Sequence, residues 1–173
     1  QKNPKQPVLR AAFFSGCNLD FVFPETGESV VKVLQDLNVA VSYPQAQSCC
    51  GKPALGMGDR ETGKKIAKQN IEAFEKDGAD VIICACPTCA ETLHKTYAEL
   101  FADDEEWSRR VEAFCSKIRE FTSFVADAYQ KAGRLAPTAG SHKITYHDSF
   151  HMKRGLGIYE QPRALLEAAN GTE

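Results

Sequence analysis

The chain lacks any apolar run long enough to cross a membrane. Its most hydrophobic strings, such as Val81-Ile82-Ile83, fall far short of the roughly 20 residues a membrane helix needs. It also lacks an excess of charge of one sign. Against 21 lysine and arginine residues stand 23 aspartate and glutamate residues, for a net charge of −2, so the electrostatic footprint of a nucleic-acid-binding protein is missing. There is no signal-peptide core and no initiating methionine, which leads us to expect a piece of a longer, cytoplasmic protein with reduced cysteines. Seven cysteines in 173 residues are too few for a disulfide scaffold, and an odd number leaves one without a mate. Neither Gly56-x-Gly58 nor Gly155-x-Gly157 completes a dinucleotide fingerprint, so no nicotinamide or flavin site is expected. What is present, 43% apolar and 25% charged residues, is the composition of one ordinary folded domain.

The periodicities alternate between strand and helix. Residues 8–14 form an apolar run closed by Ser15-Gly16, which predicts a strand delivering Cys17 into a loop. Pro24 opens a helix with Val30, Val33, Leu34 and Leu37 on one face. Residues 39–43 predict a second strand, ended by Pro44 just before Cys49-Cys50-Gly51. Asp59 is placed as an N-cap and Gly78 as a stop for a helix whose inner stripe holds Ile66, Ala67, Asn70, Ile71 and Phe74. A third strand over 79–83 leads to Cys84, Cys86 and Cys89, and Pro87 starts a helix bearing Ala90, Leu93, Tyr97 and Leu100. After the acidic connector 103–106, the stripe from Trp107 to Val125 predicts a helical hairpin, with Cys115 in its core. Residues 133–140 read as a linker, 143–147 as a fourth strand and 162–169 as a last helix. This order predicts a layered α/β fold, with a mostly parallel sheet and flanking helices in a Rossmann-like arrangement. In such sheets the site lies beyond the carboxyl ends of the strands, so the sequence-distant cysteines and the His147 to His151 segment should converge at one edge.

Thirty-one residues separate Cys17 from Cys49, and thirty-four separate Gly51 from Cys86, which gives the pattern C-x31-C-C-G-x34-C-x2-C. With this pattern the chain resembles the cysteine-rich CCG-domain family. The likeness runs from Phe13-Phe14-Ser15-Gly16-Cys17 to the segment Tyr146-His147-Asp148-Ser149-Phe150-His151-Met152-Lys153-Arg154-Gly155. That family includes the cysteine-rich subunit of heterodisulfide reductases, the iron–sulfur subunit of anaerobic glycerol-3-phosphate dehydrogenase, and subunits of lactate- and glycolate-oxidising complexes. The resemblance implies an iron–sulfur cluster, which in the heterodisulfide reductases is a non-cubane [4Fe–4S] one, held by Cys17, Cys49, Cys50, Cys86 and Cys89, with Gly51 beside it. It implies an electron-transfer domain of an anaerobic oxidoreductase complex, not catalytic alone, served by flavoprotein or ferredoxin-type subunits and reaching a membrane only through partners. Members commonly carry two repeats. Residues 1–140 would then be the first, and 141–173 the start of a second, incomplete one packed on it, with Phe150 where a cysteine is expected.

Physical chemistry also favours a metal centre over five free thiols. A thiol of pKa near 8.5 costs about 2 kcal/mol to ionise at pH 7, so five together cost on the order of 10 kcal/mol before repulsion is counted. A cationic centre supplies the compensation. Adjacent Cys49 and Cys50 should point apart and suit two metal atoms better than one tetrahedral ion, while Gly51 omits a Cβ where the backbone turns. Cys84, His147 and His151 stand as further candidate ligands, against packing or loop roles for each. Two other readings remain open: a structural zinc module using four of the thiolates, and a thiol–disulfide oxidoreductase using Cys86 and Cys89 at a helix start.

Overall fold

The computed structural model describes residues 9–135 and 143–170. Strand β1 (Leu9–Phe14) is followed by α1 (Gly16–Phe21), α2 (Pro24–Asp36), β2 (Val39–Ser42), α3 (Lys52–Gly56), α4 (Arg60–Asp77) and β3 (Val81–Cys84). A continuous helical segment then runs through α5 (Pro87–Glu91), a π-helical turn (Thr92–Thr96) and α6 (Tyr97–Leu100). After it come α7 (Ser108–Lys117), β4 (Ile118–Glu120), α8 (Phe121–Lys131), a second π-helical turn (His151–Leu156) and α9 (Glu160–Asn170). The four strands form one parallel sheet in the order β2-β1-β3-β4. This is the layered α/β architecture that the alternation of periods predicts.

Period-two alternation sorts the strand residues between two cores. Ala12, Phe14, Ile82 and Cys84 face one side and pack with Ile71 and Phe74 of α4, Leu93, Tyr97 and Phe114. Ala11, Phe13 and Ile83 face the other side and meet Leu19, Val30 and Leu34. The first core is knitted by aromatic contacts: Phe14 to Phe74 at 5.8 Å, Phe74 to Phe114 at 6.0 Å, and Tyr97 stacked on Phe114 at 6.0 Å. The helix ends follow their sequence signals. Pro24 and Pro87 occupy first-turn positions, Asp59 accepts the Thr62 N–H at 3.0 Å, and Gly78 closes α4 with a left-handed φ of 72°.

Three expectations fail. Cys17 does not sit in a loop but within α1. Residues 143–147 form no strand: Ile144 is exposed, so the alternating pattern there covers no core, and the sheet position beside β3 is already taken by β4. That strand interrupts the predicted hairpin. Ile118 continues the helical stripe of Val111, Phe114 and Cys115, and this masks a three-residue segment whose buried-exposed-buried pattern pairs Ile82 with Ile118 and Cys84 with Glu120. The last helix is in place, whereas Val8 and residues 136–140 of the expected linker lie outside the described residues.

Glu120 secures the turn from β4 into α8. Its buried carboxylate accepts the N–H groups of Thr122 (3.1 Å) and Ser123 (2.9 Å) and the Thr122 hydroxyl (2.7 Å). Glu120→Ala should cost about 1 kcal/mol as a lost cap and lower the melting temperature by about 2–4 °C. Burial raises the Glu120 pKa above the ordinary 4.5, against the opposing pull of its donors. The folded protein therefore holds that proton more tightly than the unfolded chain does. Stability relative to Glu120→Gln should be greatest below pH 4.5 and fall as the pH rises through the folded value, as denaturant melts of both proteins across this range will show.

Candidate metal centre

Parallel strands end at one edge, and the order β2-β1-β3-β4 places the reversal of winding between β1 and β3. Cys17 follows β1, Cys49 and Cys50 follow β2, and Cys86 and Cys89 follow β3. The thiols meet there in a connected set. Cys49 has Cys17 as its thiol neighbour, while Cys50, Cys86 and Cys84 each have Cys89 as theirs. The adjacent cysteines thus turn to different neighbours. Among the described residues, no three Cys, His, Asp or Glu side chains stand grouped as a metal ion requires.

Two glycines shape this edge. Gly16, at φ +63°, brings the chain so close that a Cβ there would stand 3.2 Å from the Cys89 Sγ. Gly51, at φ +82°, makes the turn into α3, and its N–H donates to the Cys49 Sγ at 3.4 Å. The space beside Gly51 is bounded by Ile66 rather than by sulfur, with Ile66 Cγ2 at 3.3 Å from a built Cβ. Gly51 thus approaches the thiols through its N–H, whereas Gly16 is the glycine whose missing Cβ leaves room for sulfur.

Burial and hydrogen bonding pull the thiols apart in acidity. Cys86 falls to about 6, first through its contact with the Cys89 side chain and then because the Cys89 and Thr88 N–H groups at the start of α5 favour its thiolate. Cys50, although only 3% exposed, falls to about 7, chiefly through its own contact with Cys89 and with help from the Lys52 N–H and the Thr92 side chain. Cys89 is correspondingly pushed up, by its contacts with Cys50, Cys84 and Cys86 and by burial. Burial raises Cys49, against the Gly51 N–H.

The other candidates fall elsewhere. Cys84 is fully buried, and its thiol donates to the Cys86 carbonyl at 3.5 Å. Cys115 donates to the Leu93 carbonyl at 3.1 Å inside the core, and burial pushes it up to about 11. His151 pairs through Nδ1 with the Glu91 carboxylate, and Lys95 Nζ donates to the Gly155 carbonyl, so the second π-helical turn is seated on the helical segment that follows Cys89. His147 is exposed in an irregular stretch. Asp148 is held by Arg163 at 2.8 Å and by Lys153 at 3.3 Å, and Phe150 is 69% exposed. Sequence reasoning missed Asn70 and Tyr97, which it placed on apolar stripes. Asn70 accepts the Ser48 N–H at 2.8 Å and donates to the Cys49 carbonyl at 2.9 Å, while Tyr97 donates to the Cys50 carbonyl at 3.1 Å. A polar residue inside the stripe Ile66-Ala67-Asn70-Ile71-Phe74 was the available signal.

A parallel α/β sheet that carries five cysteines from three strand ends to one edge defines a cysteine-rich domain. A family model described as CCG, cysteine-rich domain, matches residues 11–94, the stretch containing all five. Residues 11–94 form a domain of this cysteine-rich CCG family. It is 34% identical over 165 residues to lactate utilization protein A 2 of Bacillus cereus, an alignment covering 95% of this chain and 66% of that protein. It is 39% identical over 162 residues to lactate utilization protein A of an Exiguobacterium species, covering 92% of this chain and 64% of that protein. The chain thus spans slightly less than two thirds of the length of these relatives.

In the metal-free, reduced protein at about pH 7, iodoacetamide should modify half-buried Cys86 ahead of Cys49, Cys84 and Cys115. The Cys86 rate should fall roughly tenfold as the pH drops from about 7 to about 5, because the thiolate is the nucleophile and protonates through this range. Peptide mass mapping of timed reactions measures both.

Proposed function

We propose that this chain is the iron–sulfur, electron-transferring domain of an oxidoreductase, with Cys17, Cys49, Cys50, Cys86 and Cys89 holding a [4Fe–4S] cluster of the non-cubane kind. The observation that carries this proposal is the convergence of those five thiols at the β1/β3 edge. Their donor chemistry fits: thiolate sulfur is the ligand iron–sulfur centres take. So does their surrounding, in which Gly16 leaves no Cβ against the Cys89 sulfur and the buried Ser48 hydroxyl has no partner among the described residues. Cys49 and Cys50 turning to different neighbours supports a centre with more than one metal atom over a single zinc ion. A bound cluster would supply one-electron chemistry. The protein's part is to supply low-pKa sulfurs in Cys50 and Cys86, backbone N–H groups of Gly51, Lys52, Thr88 and Cys89 toward sulfur, and burial; these set a cluster's potential.

The names of the relatives favour lactate oxidation as the upstream source of electrons, received through a flavoprotein or ferredoxin-type subunit. No helix among the described residues is long and apolar enough to cross a membrane, and we place the protein in the cytoplasm, meeting a membrane only through partners. Residues 1–140 would be one CCG repeat and 141–173 the start of a second, docked through His151 and Glu91. One observation favours a second reading: the low pKa of Cys86 at a helix start beside Cys89 suits thiol–disulfide exchange. It leaves Cys17 and Cys49 without a task.

Purified and reconstituted without oxygen, the protein should bind iron and acid-labile sulfide, absorb in the visible, bleach on reduction and give an EPR signal. Separate Ala substitutions of Cys49, Cys50, Cys86 and Cys89 should abolish that signal, and Cys115→Ala should keep it. Zinc without sulfide would overturn the proposal. Dithiol activity that persists in Cys49→Ala and Cys50→Ala without iron would establish the exchange reading instead.

A further inference from the structure

The segment that bears the adjacent cysteines belongs to no strand or helix between β2 and α3, so its backbone polar groups need partners from elsewhere. Two fully buried side chains supply them. Asn70, from the middle of α4, accepts the Ser48 N–H at 2.8 Å with Oδ1 and donates from Nδ2 to the Cys49 carbonyl at 2.9 Å. The same Nδ2 donates to the Tyr97 hydroxyl at 3.0 Å, and that hydroxyl donates onward to the Cys50 carbonyl at 3.1 Å. Three consecutive residues are therefore gripped by two helices, one on each side of β3 in the sequence.

A buried amide and a buried phenol are costly unless fully paired. Packing alone would be served by apolar side chains of similar size, since Asn70 lies beside Ala67, Ile71 and Phe74 on the buried face of α4 and the Tyr97 ring is stacked on Phe114. Apart from the bond they share, every hydrogen bond recorded for these two side chains goes to Ser48, Cys49 or Cys50. A satisfied polar network of this kind selects one geometry where an apolar contact tolerates slippage.

We infer that Asn70 and Tyr97 are positioning residues that lock the peptide groups of Cys49 and Cys50, so that one thiol is presented toward Cys17 and the other toward Cys89. The inference rests on the proposed role of those thiols as ligands, but the clamp itself is also readable in metal-free protein. Tyr97→Phe removes one oxygen and keeps the stacked ring. Asn70→Asp keeps the acceptor for Ser48 and loses the donor to Cys49. Val111→Ala, which opens a cavity in the same core from α7, is the control for a purely structural role.

Three quantities are measured for each protein: the melting temperature, the alkylation rate of Cys50 relative to Cys115 in the metal-free form, and, after anaerobic reconstitution, iron and sulfide content with the EPR spectrum and reduction potential. Tyr97→Phe and Asn70→Asp should raise the relative Cys50 rate by roughly threefold to tenfold, the range that loss of an ordinary hydrogen bond gives. They should also alter the spectrum and potential, whereas Val111→Ala should lower the melting temperature and leave Cys50 reactivity and the spectrum as they were. If the two polar variants behave like Val111→Ala, the positioning role is overturned. If the parent protein binds no iron or sulfide, the ligand role fails while Cys50 reactivity still decides the clamp. Should Asn70→Asp not fold, Tyr97→Phe carries the test alone.

Discussion

Every strand of this sheet runs the same way, and that single constraint governs the rest of the molecule. Parallel neighbours cannot be joined by a tight turn, so each strand must exit at the same edge and return through a helix. The order β2-β1-β3-β4 then splits the chain to opposite sides of β1, and the loops after β1, β2 and β3 face one another. Cysteines more than thirty positions apart in the chain become neighbours because of it. The two cores on either side of the sheet hold the strands in place, and the edge carries the chemistry.

At that edge two opposing effects decide the state of each sulfur. Burial favours the neutral thiol, and the hydrogen bonds that converge at the starts of α3 and α5 favour the thiolate. Donors win at Cys50 and Cys86, burial wins at Cys49, and Cys89, the neighbour that both acidified thiols share, is driven toward the neutral form. A connected set of thiols, part of it already acidified, suits cation binding. Cys115 shows the contrast: an equally buried thiol that offers its hydrogen to a backbone carbonyl in the core is driven toward the neutral form.

Much of this was legible in the residues. Helix starts at Pro24, Asp59 and Pro87 and the stop at Gly78 are local events, set within one turn of chain, and each appears as its signal predicts. β1 to β3 are marked by apolar runs bounded by turn residues. β4 is hidden because three residues give too short an alternation to compete with the helical stripe that runs into Ile118. The reverse error at 143–147 has the same origin, since alternation signals a strand only where there is a core to receive the inward side chains, and Ile144 finds none. Asn70 and Tyr97 were visible as members of stripes but not as partners of the cysteine segment, because an amide or phenol on an apolar face does not announce which distant carbonyl it meets.

The spacing of Cys17, Cys49-Cys50-Gly51 and Cys86-x2-Cys89, together with the alternation of strand and helix, was enough to determine the family, the layered fold and the edge at which the thiols gather. Only the tertiary structure decided that Cys49 turns to Cys17 and Cys50 to Cys89, that a Cβ at Gly16 rather than at Gly51 would meet sulfur, that His151 is taken by Glu91, and that Asn70 and Tyr97 grip the loop. The reason is physical. Periodicity and caps depend on neighbours a few residues away, whereas burial, acidity and hydrogen-bond pairing depend on groups that only the folded chain brings within reach.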